Sequence, residues 1–160
     1  MALTRNGVAV GSAKRNGTTL DKVTVNGKIV WENWVKKTGT HTTQTLNFST
    51  GTSQTVTGST FTAVKPTKIH LNYSLVCREW VVTHTVRVDG LTESGSWVTL
   101  CTHNKSLDGD SSNASDYTMS YNGTVSVSVS EPIKQLRVYI AGRYWENTIT
   151  VKITEWYQKG

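Results

Sequence analysis

From Thr67 to Val76 the chain alternates without a break: Ile69, Leu71, Tyr73 and Leu75 are separated by Lys68, His70, Asn72 and Ser74. Successive side chains of a strand point to opposite faces, so this pattern predicts a β-strand with one buried and one wet face. The same period recurs in Glu79–Val88, where Trp80, Val82, His84, Val86 and Val88 share a face. Lys134–Ile140 places Leu136, Val138 and Ile140 on one side, and Asn147–Tyr157 does so with Ile149, Val151 and Ile153. Asp89-Gly90 and the residues after it predict a turn towards a strand at Ser96–Thr102. Asn122-Gly123 predicts a hairpin between Tyr117–Ser120 and Thr124–Ser130, with Val125, Val127 and Val129 inward. The Thr-, Ser- and Gly-rich stretches Lys36–Thr45 and Ser49–Ser59 read as linker and loop, with a weak strand at Thr43–Phe48.

Seven or eight one-sided strands joined by short turns predict an all-β fold, an antiparallel β-sandwich of jelly-roll or Greek-key type. A closed barrel is the alternative that strand pattern alone leaves open. A chain of 160 residues can bury a core without staples. Its apolar residues are mostly Val, Ile, Leu and Trp, its Thr content suits pleated surfaces, and no long helix-forming run is present.

The first residues follow another rule. Arg5-Asn6-Gly7, Arg15-Asn16-Gly17 and Val25-Asn26-Gly27 repeat Asn-Gly at a ten-residue period. The last copy, Lys22–Val25, Asn26-Gly27, Lys28–Trp31, is a hairpin pattern. Ribbons this short are marginal alone. They need cover for Val23, Val25, Ile29, Trp31 and Trp34. The division expected is therefore 1–37, a β-ribbon arm, and 38–160, the sandwich.

Charge separates the same two parts. Before His41, Arg5, Lys14, Arg15, Lys22, Lys28, Lys36 and Lys37 face only Asp21 and Glu32, a balance of +5 out of a total of +6. A basic arm favours an acidic partner, while a merely solvated basic surface is the plainer reading. Cys77 and Cys101 have no metal or redox spacing and are expected to be free, small hydrophobes. The start of the chain lacks an apolar signal-peptide core, and no apolar run reaches membrane-spanning length, so no membrane insertion is expected.

Catalytic signatures are missing: no Gly-x-Ser-x-Gly elbow, phosphate loop or His-Glu-x-x-His occurs. The expectation is a protein that is not an enzyme and takes no cofactor. His41, His70, His84 and His103 are dispersed, and His84, on an apolar face, reads as a hydrogen-bonded core histidine. Asp108, Asp110 and Asp116 lie in a polar stretch with oxygen ligands at alternate positions, a weak calcium candidate. The glycine and closing glutamate of an EF-hand loop are absent there, and a polar turn explains the composition better. Arg143, Tyr144, Trp145, Glu146 and Asn147 put two large aromatics beside polar groups at the last turn. Such a group could form a sugar platform, although packing at the end of the core is the commoner use of a Trp. Nucleic-acid binding has only charge behind it, so no nucleic-acid partner is expected.

The segment Arg15-Asn16-Gly17-Thr18-Thr19-Leu20-Asp21-Lys22-Val23-Thr24-Val25-Asn26-Gly27-Lys28-Ile29-Val30-Trp31-Glu32 resembles the leading segments of bacteriophage and prophage virion proteins. The closing run Asn147–Tyr157 is similar to the last strand of β-sandwich modules in such proteins. The resemblance implies a virion structural protein of tail, baseplate or head surface, assembled in the bacterial host cytoplasm. Its partners would be other virion proteins and copies of itself, docked through Val23, Val25, Ile29, Trp31, Trp34, Lys14, Arg15, Lys22 and Lys28. A carbohydrate-binding β-sandwich module recognising cell-surface glycans is the rival reading.

Overall fold

The structure, a computed structural model, describes residues 4–5, 8–9, 14–16, 18–20, 22–78, 83–106 and 116–160. It divides into two compact units: Met1–Lys37 with Tyr157–Gly160, and Thr38–Trp156.

In the first unit three antiparallel ribbons follow one another. They are β1 (Thr4–Arg5) with β2 (Val8–Ala9), β3 (Lys14–Arg15) with β4 (Thr18–Thr19), and β5 (Lys22–Val25) with β6 (Lys28–Glu32). The Asn-Gly signal accounts for the last turn directly. Asn26 and Gly27 have φ of 50° and 74°, the two positive values that a tight type I′ turn requires. Val23 pairs with Trp31 and Val25 with Lys28, with a bulge between Val23 and Thr24.

The second unit is built from eight strands: β7 (Trp34–Phe48), β8 (Gly51–Thr57), β9 (Lys65–Arg78), β10 (Thr83–Thr92), β11 (Trp97–Ser106), β12 (Asp116–Ser126), β13 (Ile133–Tyr144) and β14 (Asn147–Lys159). The division between units falls within β7 and β14. Pairing gives the orders β7-β14-β9-β12 and β8-β13-β10-β11. Successive strands from β7 to β10 thus alternate between two four-stranded sheets, as do β11 to β14. That order is the eight-stranded jelly roll, two Greek keys wound together. The bridge from Tyr144 to Cys77 joins the two sheets at one corner.

The alternation works as expected in β9, β13 and β14. Ile69, Leu71, Leu75, Leu136, Val138, Ile140, Ile149, Val151 and Ile153 are all fully buried, and Tyr73 is nearly so. Val125, Val127 and Val129 pack partly buried against the same core. Cys77 and Cys101 are unpaired, the first buried in β9.

Three expectations fail, each for a local reason. Lys36–Thr45 is not a linker, because β7 runs unbroken from Trp34 to Phe48. Only Gln44, Leu46 and Phe48 of that strand are buried, so most of it has no apolar period to read. Ser49–Ser59 contains β8 for the same reason. Asn122-Gly123 makes no turn. Both residues lie inside β12, paired with Asn72 and Leu71 of β9. The Tyr121 ring covers the glycine, since a Cβ there would sit 3.1 Å from its hydroxyl, so an aromatic neighbour supplies the surface that glycine lacks. The turn expected from Asp89-Gly90 and the residues after it falls at Thr92–Ser96, while Asp89 and Gly90 themselves lie inside β10, at a bulge following Val88. Trp80 and Val82, placed on the face of this strand by the alternation, lie outside the described residues.

Candidate functional site

The arm carries the first set of candidate residues. Lys22 and Lys28 are exposed, Val23 is half-buried, and Val25 is 54% exposed. Lys14, Arg15, Ile29 and Trp31 lie on ribbon strands, and their side chains are outside the described set. Trp34 is half-buried within its unit. Its indole N–H donates to Glu32 Oε2 at 3.2 Å. Lys159 Nζ lies 3.3 Å from Glu32 Oε1 and 5.6 Å above the Trp34 ring, and the Gly160 N–H donates to Asn33 O at 2.9 Å. The last residues of the chain therefore fasten the strand that leads out of the ribbons. Nothing in the period of the sequence signalled that contact, because it joins residues from the two ends.

The second set is the aromatic corner. Arg143 and Tyr144 end β13, Trp145 and Glu146 form the turn, and Asn147 begins β14. Tyr144 is 1% exposed and belongs to the core, so of the two rings only Trp145 offers any face to solvent. The Tyr144 hydroxyl has no hydrogen-bond partner among the described residues, and burial holds its pKa above the usual phenol value. Trp145 is half-buried. Its backbone N–H donates to Val76 O at 2.9 Å and its indole N–H to Asp116 Oδ2 at 3.0 Å. Arg143 and Glu146 are exposed, and the Glu146 backbone N–H donates to Thr50 Oγ1 at 2.9 Å. The Asn147 amide donates to Ser74 O. The corner thus collects one ring edge and three polar groups, several already engaged within the fold.

Asp116 sits at the start of β12, exposed and bound to Trp145, whereas Asp108 and Asp110 lie outside the described residues. Among the described residues no group of three or more His, Cys, Asp or Glu is placed to hold a metal ion. His84 is the hydrogen-bonded core histidine expected. It is fully buried, with Nε2 3.0 Å from Arg143 O and Nδ1 2.6 Å from the Tyr117 hydroxyl. A carbonyl can only accept, so Nε2 carries the proton and Nδ1 accepts from Tyr117. Burial lowers its pKa, partly opposed by the bond to Arg143.

Sequence reading missed one polar cluster altogether. Asp89, 2% exposed, is held by Arg87 Nε at 3.0 Å, Arg137 Nε at 2.9 Å and the Thr99 hydroxyl at 3.1 Å. The two guanidinium groups stack in turn on Tyr139 and Trp97. Its only signal was an aspartate before glycine, which reads as a turn.

No protein-family model matches the chain, and no curated protein matches it in sequence. Solved structures similar to it include proteins of infectious bursal disease virus. The VP2 subviral particle shares 14% identity at a TM-score of 0.41, over 74% of this chain and 37% of that one. The Gx strain structure shares 12% at 0.41, over 95% and 45%. The T13 viral particle shares 14% at 0.37, over 88% and 41%. The chain spans less than half the length of these proteins, and likeness this loose carries no argument about function. The fold and its described residues define the class by themselves: an eight-stranded jelly roll, preceded in sequence by residues that form, among those described, three short β-ribbons.

Proposed function

We propose that this chain is a non-enzymatic structural protein of a virus particle, in which the ribbon arm docks on the particle and the jelly roll projects from it. The arm carries the reading. Three two-stranded ribbons expose backbone edges, and unpaired edges invite pairing with another chain. Val25 stands exposed on one of them, and the charge before His41 is strongly positive. Jelly rolls are common in capsid domains, which agrees with the reading but is an analogy of fold only. The resemblance of residues 15–32 to phage virion proteins supports a site on tail, baseplate or head surface, with assembly in the host cytoplasm.

In the docked state Val23, Val25, Ile29, Trp31 and Trp34 would be covered by another subunit, with Lys14, Arg15, Lys22 and Lys28 meeting acidic groups. Aromatic anchors dominate such contacts, so Trp31 and Trp34 matter most. Replacing both by Ala should leave the jelly roll folded by circular dichroism yet prevent incorporation into particles, or dissociate the oligomer. A wild-type chain that stays monomeric and never co-purifies with a particle would remove the proposal.

The second reading, a glycan-binding module, rests on Trp145 and its neighbours. Jelly rolls also serve as lectin domains. With Tyr144 buried, the platform would consist of Trp145 with Arg143, Glu146 and Asn147.

A further inference from the structure

The outer face of the sheet β8-β13-β10-β11 carries an arrangement that the core does not use. Directly paired residues share a face of a sheet. Arg87 pairs with Tyr139, Asp89 with Arg137 and Thr99, and Leu91 with Trp97. These side chains therefore stand together on the side opposite the buried Val86, Val88, Leu136 and Val138. Arg137 and Tyr139 pair in turn with Thr57 and Thr55 of β8, both exposed. Trp97, Arg137, Asp89, Arg87 and Tyr139 thus form one patch across three strands, with hydroxyl side chains beside it.

The patch holds hydrogen-bond donors in place without using them all. Both oxygens of Asp89 are engaged: Oδ1 by Arg87 Nε and the Thr99 hydroxyl, Oδ2 by Arg87 Nη2 and Arg137 Nε. Arg137 gives only its Nε, so both its Nη groups are without a hydrogen bond among the described residues, as is Nη1 of Arg87. The Trp97 and Tyr139 rings lie 4.2 Å and 4.8 Å from the guanidinium carbons and hold the two forks in position. The side chains of Arg137 and Arg87 are 27% and 35% exposed, so both keep part of their surface in water. Two arginines against one aspartate leave the patch positive. The residues paired around it, Thr55, Thr57, Thr99, Thr102, Leu91 and Gln135, are uncharged.

We propose that this sheet face docks an acidic segment of another protein. Small-molecule sites are concave, whereas Trp, Tyr and Arg gathered on a sheet face are the residues that anchor protein interfaces. Covering the patch would strand the unused guanidinium donors unless the partner brings acceptors. A carboxylate supplies two, in the geometry that the Nη groups of a fork match. A second copy would bring the same excess of positive charge to the contact, so charge favours a partner of opposite sign. The face belongs to the unit Thr38–Trp156, and the inference rests on neither the ribbon arm nor the virion reading.

The test uses the full chain labelled with ¹⁵N and titrated with a short peptide alternating glutamate and threonine. Its glutamine–threonine counterpart and sodium acetate are the controls. The expected result is saturable amide shifts at residues 87–91, 97–99 and 135–139 with the glutamate peptide, at tenfold or greater preference over the glutamine peptide. Arg137→Lys and Arg87→Lys each keep the charge beside Asp89 but lose the fork, and either should weaken binding threefold or more while the amide spectrum stays that of a folded chain. A purely structural role for the two arginines would change the melting temperature of these variants and leave no peptide affinity to lose. Absence of saturable shifts on these strands, shifts confined to residues 14–37, equal binding of the glutamine peptide, saturation by acetate at the same concentration, or unchanged affinity in both variants would each overturn the proposal. So would shifts of the same amides with protein concentration alone, since a second copy would then cover the face.

Discussion

Arg137 closes on Asp89 from the neighbouring strand: its Nε lies 2.9 Å from Asp89 Oδ2 while its guanidinium stacks 4.2 Å from the centre of the Trp97 ring. Arg87 completes the arrangement from the other side, 3.0 Å from Oδ1 and stacked on Tyr139. One buried carboxylate thus gathers side chains from β10, β11 and β13. Removing it leaves two guanidinium groups without the carboxylate that holds them together. Breaking a buried pair by deleting one partner costs about 3–5 kcal/mol, and the partial exposure of both arginines places Asp89→Ala near the lower end. Urea unfolding followed by tryptophan fluorescence should show that loss, while Asp89→Asn, which keeps the shape and some hydrogen bonds, should cost less.

His84 makes stability depend on pH. Its folded pKa is held below its ordinary value of 6.5 by burial, and protonating Nδ1 would displace the bond from Tyr117. The unfolded chain therefore binds the proton more readily. Stability is fully present above about pH 6.5 and falls as pH drops below it towards the folded pKa. His103, also lowered by burial, adds in the same direction. Urea midpoints measured from pH 7.5 down to pH 5 should decline, and the decline should be shallower in His84→Gln.

Gly142 should tolerate no side chain. Its φ is +102°, and a Cβ would fall on the His84 ring. Backbone strain and a clash with a fully buried side chain act together. Gly142→Ala is expected to cost about 2 kcal/mol or more, read as a lowered melting temperature.

The strands that carry the core were legible because Ile69, Leu71, Leu136, Val138, Ile149 and Val151 repeat at period two. Strands β7 and β8 were not, because their Thr and Ser residues face water on most positions and only Gln44, Leu46 and Phe48 of β7 mark the buried side. Asn26-Gly27 and Asn122-Gly123 are the same dipeptide with opposite outcomes. At the first, both residues take positive φ and the chain reverses. At the second, β9 offers eleven consecutive pairing partners to β12, and that ladder outweighs the local turn preference. Of the candidate residues, His84 was readable from its apolar neighbours. Asp89 was not, because Thr99 and Arg137 reach it from the neighbouring strands β11 and β13.

Trp145 tests how far the corner is structural. The ring is half-buried and its N–H is bound to Asp116, so truncation loses one charge-assisted hydrogen bond and part of an apolar contact. Trp145→Ala should cost about 1–3 kcal/mol, less than a fully buried Trp would. If the corner also binds glycans, the same variant loses that affinity while remaining folded at 25 °C, which a glycan array on wild type and variant would show.

The charge of the arm gives the prediction closest to assembly. Lys22 and Lys28 are exposed on the third ribbon, and Lys14 and Arg15 belong to the second. Exposed charges contribute little to folding, because water and salt screen them. They contribute more to the encounter with an oppositely charged surface, where complementary fields raise the association rate. Changing all four to Glu reverses the sign of the arm and alters none of its apolar residues. Association with the particle or with other copies should slow by tenfold or more at low salt, and the difference from wild type should shrink as ionic strength rises and the Debye length falls. Thermal unfolding of the jelly roll should move little, since Thr38–Trp156 forms a compact unit of its own. Equal association rates for wild type and variant at low salt would mean that the basic arm is only a solvated surface.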